Sequence, residues 1–240
     1  MREPQILYED TDILVINKPP GLAVHGGLQV RGATLVDFLL ARFPEIKNVG
    51  DPSTGSGHEI LRPGLVHRLD KDTSGVMVVA RNQESFLRLK SIFQDRLAEK
   101  IYWAIVCGAP KERKGIVTLP IGRLVKNPLK RGAQTPKVKI RGAREAATEY
   151  RVLRTSERYA LVELKPKTGR MHQLRVHMKA LGHPVACDLL YGGKNVCCPQ
   201  GVSRQLLHAR SLSFALTEGK RMQFEADPPE DFSVALKRIL

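Results

Sequence analysis

Seven polar side chains crowd into residues 67–74, namely His67, Arg68, Asp70, Lys71, Asp72, Thr73 and Ser74, and the apolar run Val76-Met77-Val78-Val79-Ala80 follows after a single glycine. Such a run, rich in β-branched side chains, reads as a buried strand. A loop tied to a buried strand takes its position from the scaffold, which suits it to hold a carboxylate against a substrate. Asp70 and Arg68 are two residues apart, so both can serve one pocket in different roles. The plainer reading is a solvated turn in which an Asp near a Thr and a Ser caps the backbone.

The rest of the chain reads as α+β. Ile6-Leu7-Tyr8 and Ile13 to Ile16 form two short strands around an acidic turn, stopped by Lys18-Pro19-Pro20-Gly21. Thr34 caps a helix carrying Leu35, Phe38, Leu39 and Phe43, closed by Pro44. Residues 45–62 are rich in Gly, Ser and Pro and predict a mobile loop. Residues 83–100 place Phe86, Leu89, Ile92, Phe93 and Leu97 on one stripe of an amphipathic helix, followed by a strand from Ile101 to Val106. Residues 111–147 are the most basic and least periodic segment, and read either as an RNA-facing arm or as a solvated loop. A hairpin over 148–154 and 160–164 turns at Ser156-Glu157-Arg158, and a helix runs from Gly169 to a stop at Gly182. After an irregular stretch over 188–203, two closing strands (207–214 and 222–226) precede a last helix introduced by Pro228-Pro229. No fixed-period repeat and no linker between two cores is visible, so one domain over residues 1–240 is expected.

Charge narrows the partner. Against 24 Asp and Glu the chain has 39 Lys and Arg, a net charge of +15, and a balance this basic is the footprint of a protein that meets a polyanion. No apolar run approaches the roughly 20 residues needed to span a bilayer, and Met-Arg-Glu-Pro-Gln is no secretory signal, so a cytoplasmic protein without membrane association is expected. Cys107, Cys187, Cys197 and Cys198 form no C-x-x-C pair and are read as free thiols.

The string His67-Arg68-Leu69-Asp70-Lys71-Asp72-Thr73-Ser74-Gly75 resembles the signature of the RluA family of pseudouridine synthases. Three other stretches are similar to the family in the same order: Ile13 to Gly21, Lys100-Ile101-Tyr102-Trp103-Ala104, and Thr168 to His177. The likeness covers nearly the whole chain and is strongest to members that modify large-subunit ribosomal RNA. It implies a single catalytic domain whose mixed, largely antiparallel sheet is flanked by helices and loops, with the active-site cleft across the sheet. Many relatives carry an N-terminal S4-type module; here Ile6 already begins the catalytic region, and none is expected.

The resemblance also implies roles. Asp70 is the catalytic carboxylate, Arg175 the guanidinium that keeps it ionised, and Tyr102 the tyrosine that stacks on uracil and can move the C5 proton. Arg68 fills the gap left by an everted uridine, and Leu174 packs near the base. His67, Leu69, Arg170 and His172 complete the expected substrate-binding set, His67 chiefly as an organiser of the loop. The reaction breaks the bond from N1 to the ribose and rejoins the ring through C5, with no redox change, so neither cofactor nor metal is expected. The partner is RNA, ribosomal first and transfer RNA second, and a monomer is expected.

Two rivals come from other classes. A metal hydrolase could draw on His67, Asp70, Asp72, His172 and His177, but His172 and His177 are five apart, which does not put both on one helix face, and no H-E-x-x-H is present. A non-catalytic RNA-binding or ribosome-assembly protein would explain the charge but not the detail around Asp70.

Overall fold

The structure, a computed structural model, describes residues 3–27, 32–51, 62–127, 129–193, 196–217 and 220–239. They divide into two compact units: residues 1–99 with 209–227, and residues 100–208 with 228–240. Each is α+β, and every strand pairing with a described register is antiparallel.

In the first unit β1 (Gln5–Glu9), β2 (Ile13–Lys18), β3 (Ser74–Ala80) and β11 (Leu207–Thr217) lie side by side in that order, and β12 (Lys220–Glu225) pairs with β11. The turn between β1 and β2 is wired by Asp10, whose Oδ1 accepts the Asp12 and Ile13 amides at 2.8 and 2.7 Å. Val15 pairs with Val78 in the middle of the β2–β3 ladder, and all seven residues of β3 are buried. Gly75 has to be glycine here. Its φ is +117°, and a Cβ would stand 2.1 Å from the Ala209 carbonyl oxygen. Helix α1 (Leu35–Arg42) starts at Thr34 with a complete capping box to Asp37, and α2 (Gln83–Gln94) starts at Asn82, whose side chain accepts the Ser85 amide. The stripe of α2 buries Phe86, Leu89 and Ile92 and packs on β3.

In the second unit the strands run β4 (Glu99–Cys107), β10 (Tyr159–Pro166), β9 (Thr148–Thr155), β5 (Lys114–Val117) across the main sheet, and β7 (Arg131–Ala133), β6 (Ile121–Leu124), β8 (Ile140–Arg144) form a smaller one. Helix α3 (Gln173–Ala180) is packed from two sides. Leu174 and Met178, one turn apart, join Ala104, Val162 and Leu164 of the main sheet, while Val176 joins Ile121 and Ala133 of the small sheet together with Tyr191. Helix α4 (Glu230–Ile239) buries Phe232 and Ala235 against Ile105 and Leu206.

Several expectations need correction. The helix read over 83–100 stops at Gln94: Arg96 adopts φ +62°, Leu97 is 63% exposed, and Glu99 already opens β4. The helix expected from Gly169 begins only at Gln173, because His172 has φ +56° and cannot continue a right-handed helix N-terminally. Within 111–147, where no regular element is expected, four strands form, too short and too broken by Gly and Pro to show a period. Within 45–62, residues up to Asn48 form a 3-10 turn starting at Pro44, and residues 52–61 of the expected loop lie outside the described residues.

The cysteines are not free. Cys107 bonds Cys197 and Cys187 bonds Cys198, across Cα separations of 5.7 and 4.6 Å. Neighbours that cannot bond each other can each bond a different partner, one at the end of β4 and one next to Asp188.

His177 is fully buried and neutral. Its Nδ1 accepts from Thr148 Oγ1 and its Nε2 donates to the Leu119 carbonyl, both at 2.9 Å, and burial pulls its pKa below the usual 6.5.

Two outcomes follow from these contacts. In unreduced, denatured protein a thiol reagent should find no reactive cysteine, and reduction should lower the melting temperature, each bridge contributing about 2–4 kcal/mol; four reactive thiols before reduction would contradict the pairing. Because the unfolded chain takes up a proton that folded His177 refuses, stability should be full above about pH 6.5 and fall as pH drops through the lower folded-state pKa. Thermal melts of His177→Gln should show a shallower acid decline than wild type, and parallel curves would exclude His177 as its source.

Candidate active site

The Asp70 loop is built entirely within the first unit. Lys18, the last residue of β2, is 0% exposed, and its Nζ donates to the carbonyls of Pro19, Leu22 and Lys71 at 2.8, 2.9 and 2.9 Å. The third of these grips the residue next to Asp70. Asp70 itself is half-buried and opens a tight turn in which its carbonyl accepts the Thr73 amide at 3.1 Å. Leu69 and Thr73 are buried on either side of it.

His67 ties the start of the loop to the strand. Its Nε2 accepts the Val78 amide at 3.0 Å, and its ring stacks on Phe93 with centroids 4.5 Å apart. Accepting through Nε2 leaves the proton of neutral imidazole on Nδ1. The loop is therefore fastened at His67, at the Asp70–Thr73 turn and at Lys71. Thr73 Oγ1 is the one buried side-chain polar atom among the described residues without a hydrogen-bond partner.

Arg68 is exposed, with Nη1 2.8 Å from His25 Nε2, and His25 Nδ1 lies 2.7 Å from the Gly26 carbonyl. Arginine can only donate, so His25 accepts through Nε2 and donates through Nδ1 as a neutral ring. Its pKa is lowered, first by burial and then by the nearby Arg62 and Arg68 charges, against the raising effect of the Gly26 bond.

The second unit holds the remaining expected residues. Arg175 is 6% exposed on α3 and forks onto Asp188, Nε to Oδ2 at 2.7 Å and Nη2 to Oδ1 at 2.9 Å. Asp188 Oδ1 also accepts the Leu190 and Tyr191 amides at 3.1 Å, and the Tyr191 ring lies 5.0 Å from the guanidinium carbon. Tyr191 Oη accepts the Arg131 amide at 3.1 Å and sits 2.7 Å from His172 Nδ1. Leu174 packs into the core of the main sheet. Arg170 Nε donates to the Glu145 carbonyl at 3.0 Å, and its amide donates to Gln173 Oε1 at 2.9 Å.

Buried Gln173 completes that corner, its Nε2 donating to the Ala147 carbonyl and to Thr148 Oγ1 at 2.9 and 3.0 Å. Tyr102 is half-buried on β4 opposite Leu164 and packs beside the same core. Burial also lowers the pKa of Lys100, two residues before it.

Sequence reasoning did not single out Lys18, His25, Asp188 or Tyr191. A lysine ending a strand that opens with four apolar residues is the available signal for the first. Asp188 and Tyr191 stand in an irregular stretch with no periodicity to betray them. Among the described residues no three His, Cys, Asp or Glu side chains gather as a metal-ligand set.

Comparison with known proteins gives this geometry a family. Residues 12–180 match the RNA pseudouridylate synthase family. A pseudouridine synthase of Synechocystis, itself uncharacterized, is 42% identical over 211 residues, 87% of this chain and 60% of that protein. The ribosomal large subunit pseudouridine synthase D of Pseudomonas aeruginosa is 39% identical over 242 residues, 96% of this chain and 70% of that one. The chain thus spans between three-fifths and about seven-tenths of these relatives. Among solved structures, human RNA pseudouridylate synthase domain containing 4 superposes with a TM-score of 0.75 at 32% identity, over 98% of this chain and 92% of that chain. With the family model covering well over half its length and relatives this similar, the chain belongs to the RNA pseudouridylate synthase family.

Proposed function

We propose that residues 1–240 act as one catalytic domain that isomerises uridine to pseudouridine in RNA, with Asp70 as the catalytic carboxylate. The observation that carries this is the fastened loop: an aspartate in the family's own string stands in a loop whose backbone is held by Lys18 at the Lys71 carbonyl, by the Thr73 amide at the Asp70 carbonyl and, at its start, by the bond of His67 to the Val78 amide. A loop fixed this way pre-positions a carboxylate, which is where such a site gains its rate.

In the proposed reaction the N1–C1′ bond breaks, the uracil turns while held, and a C5–C1′ bond forms. The C5 proton is lost and N1 gains one, so atoms balance without an oxidant or a metal. Asp70 acts at the nucleoside while ionised, Arg175 favours that charge, and Tyr102 stacks on the base and assists at C5. The fork from Asp188 supports Arg175 in this role by fixing the plane of its guanidinium.

The target uridine leaves its stack to be reached, at a cost of a few kcal/mol, and exposed Arg68, steadied by His25, takes the vacated space. Leu69 and Leu174 line the base, while His67, His172 and Arg170 hold the segments that bear the contacts. Ribosomal RNA is the first substrate, on the likeness to synthase D of the large ribosomal subunit, and transfer RNA the second. The protein works in the cytoplasm as a monomer. No helix among the described residues is long and apolar enough to cross a membrane.

Asp70→Asn should lose turnover by roughly 10⁴-fold or more while binding RNA with wild-type affinity, read by chromatographic separation of pseudouridine from its isomer uridine in nucleoside digests of ribosomal RNA incubated with each protein. Turnover retained by that variant would remove Asp70 from the chemistry.

A further inference from the structure

The small sheet of the second unit has two unlike faces. On one, Leu124, Val138 and Ile140 close over glycines: a Cβ on Gly132 would lie 2.4 Å from Leu124 Cδ2, and one on Gly122 would lie 3.1 Å from Ile140 Cδ1. The other face begins with Ile121 opposite Ala133, which pack with Val176 and Tyr191. Two residues further along, Arg123 pairs in register with Arg131 on β7 and with Arg141 on β8. Residues paired across antiparallel strands project from the same face, so three guanidinium-bearing side chains stand abreast. With strands about 4.8 Å apart, the row is about 10 Å wide. Gly142, at φ +61°, accompanies the irregularity of β8 that lets Arg144 pair with Ile121 while Arg141 stays opposite Arg123.

Like charges directly opposite in a sheet destabilise it. Nothing acidic relieves this row from its own segment, since residues 113–144 contain ten Lys or Arg and no Asp or Glu. Arg123 and Arg141 are exposed, and neither forms a side-chain hydrogen bond or ion pair among the described residues. Arg131 is half-buried, and its backbone amide holds Tyr191, whose ring faces Arg175. The row therefore lies on the same buried seam as α3 and ends in solvent. A line of planar forked donors at strand spacing fits a succession of phosphates.

We propose that Arg123, Arg131 and Arg141 form a docking row for the sugar-phosphate backbone of the RNA, which they hold by charge and not by base identity. The proposal rests on the reading of the chain as an RNA pseudouridine synthase and adds a second point of attachment to it. Each phosphate neutralised releases counterions, so the row steepens the salt dependence of binding.

The test measures anisotropy of a fluorescein-labelled RNA hairpin across a range of KCl concentrations. The triple variant Arg123→Gln, Arg131→Gln, Arg141→Gln should bind about tenfold or more weakly, with the slope of log Kd against log salt reduced by about 2. The triple Arg→Lys variant should recover most of the slope, because lysine keeps the charge. The double variant Arg123→Gln, Arg141→Gln alters only exposed side chains and should lose about two-thirds of the same slope. A melting temperature at or above wild type in the double variant, which changes only exposed side chains, is expected from the relief of like-charge repulsion.

A wild-type slope in both Gln variants would overturn the docking row, as would loss of binding to phosphatidylglycerol-containing vesicles with RNA binding intact. Pseudouridine formation by the wild-type protein is scored separately. If it occurs while the slope stays unchanged, the row alone fails; if it does not occur on ribosomal or transfer RNA while the slope falls, the enzymatic reading alone fails.

Discussion

A fully buried ammonium at the end of β2 governs where the Asp70 loop can run. Taking a charged amine out of water costs several kcal/mol even after relaxation, and Lys18 meets that cost with backbone carbonyls drawn from the chain just after it and from Lys71. Those carbonyls need a donor as much as the lysine needs acceptors. Neither side can move without orphaning the other. The loop therefore inherits the rigidity of the β2–β3 ladder, and the close approach of Gly75 to Ala209 sets where the strand leaves it.

The second unit reaches the same end by different means. Helix α3 is buried from Gln173 to Met178, with Leu174 and Met178 against one sheet and Val176 against the other, so Arg175, unlike the exposed Lys179 at its end, cannot simply turn to solvent. Arg175 is instead matched in a bidentate pair with Asp188, and the carboxylate is itself held by two amides. The disulfide from Cys187 fastens the residue next to Asp188. A guanidinium so constrained offers a fixed plane and a permanent charge, which a flexible surface arginine does not.

Much of this was legible in the chain. Alternation and β-branching gave β1, β2, β3 and the β9–β10 hairpin, Thr34 gave the start of α1, and the string around Asp70 gave the family. What escaped depends on partners distant in sequence. Pattern cannot tell that Cys107 will meet Cys197, ninety residues away, or that Gln173 takes up the bonds of the Thr168–Arg170 turn and shortens α3. The basic segment hides its strands because elements of three to five residues lie below the length at which a two-residue period can be seen. The roles of Lys18 and Asp188 were hidden for a related reason: a buried charge is recognised by what surrounds it, and single residues carry no record of that.

The central claim is that a pre-positioned Asp70 drives exchange of the N1 linkage of uridine for one through C5. Release of tritium from ribosomal RNA labelled at C5 of uridine reads that step directly, because the C5 hydrogen leaves only when the new bond has formed. Wild-type protein should release it in step with pseudouridine, and Asp70→Asn should release none. Equal release by the two proteins, or none from the wild type on ribosomal or transfer RNA that it binds, would contradict the account.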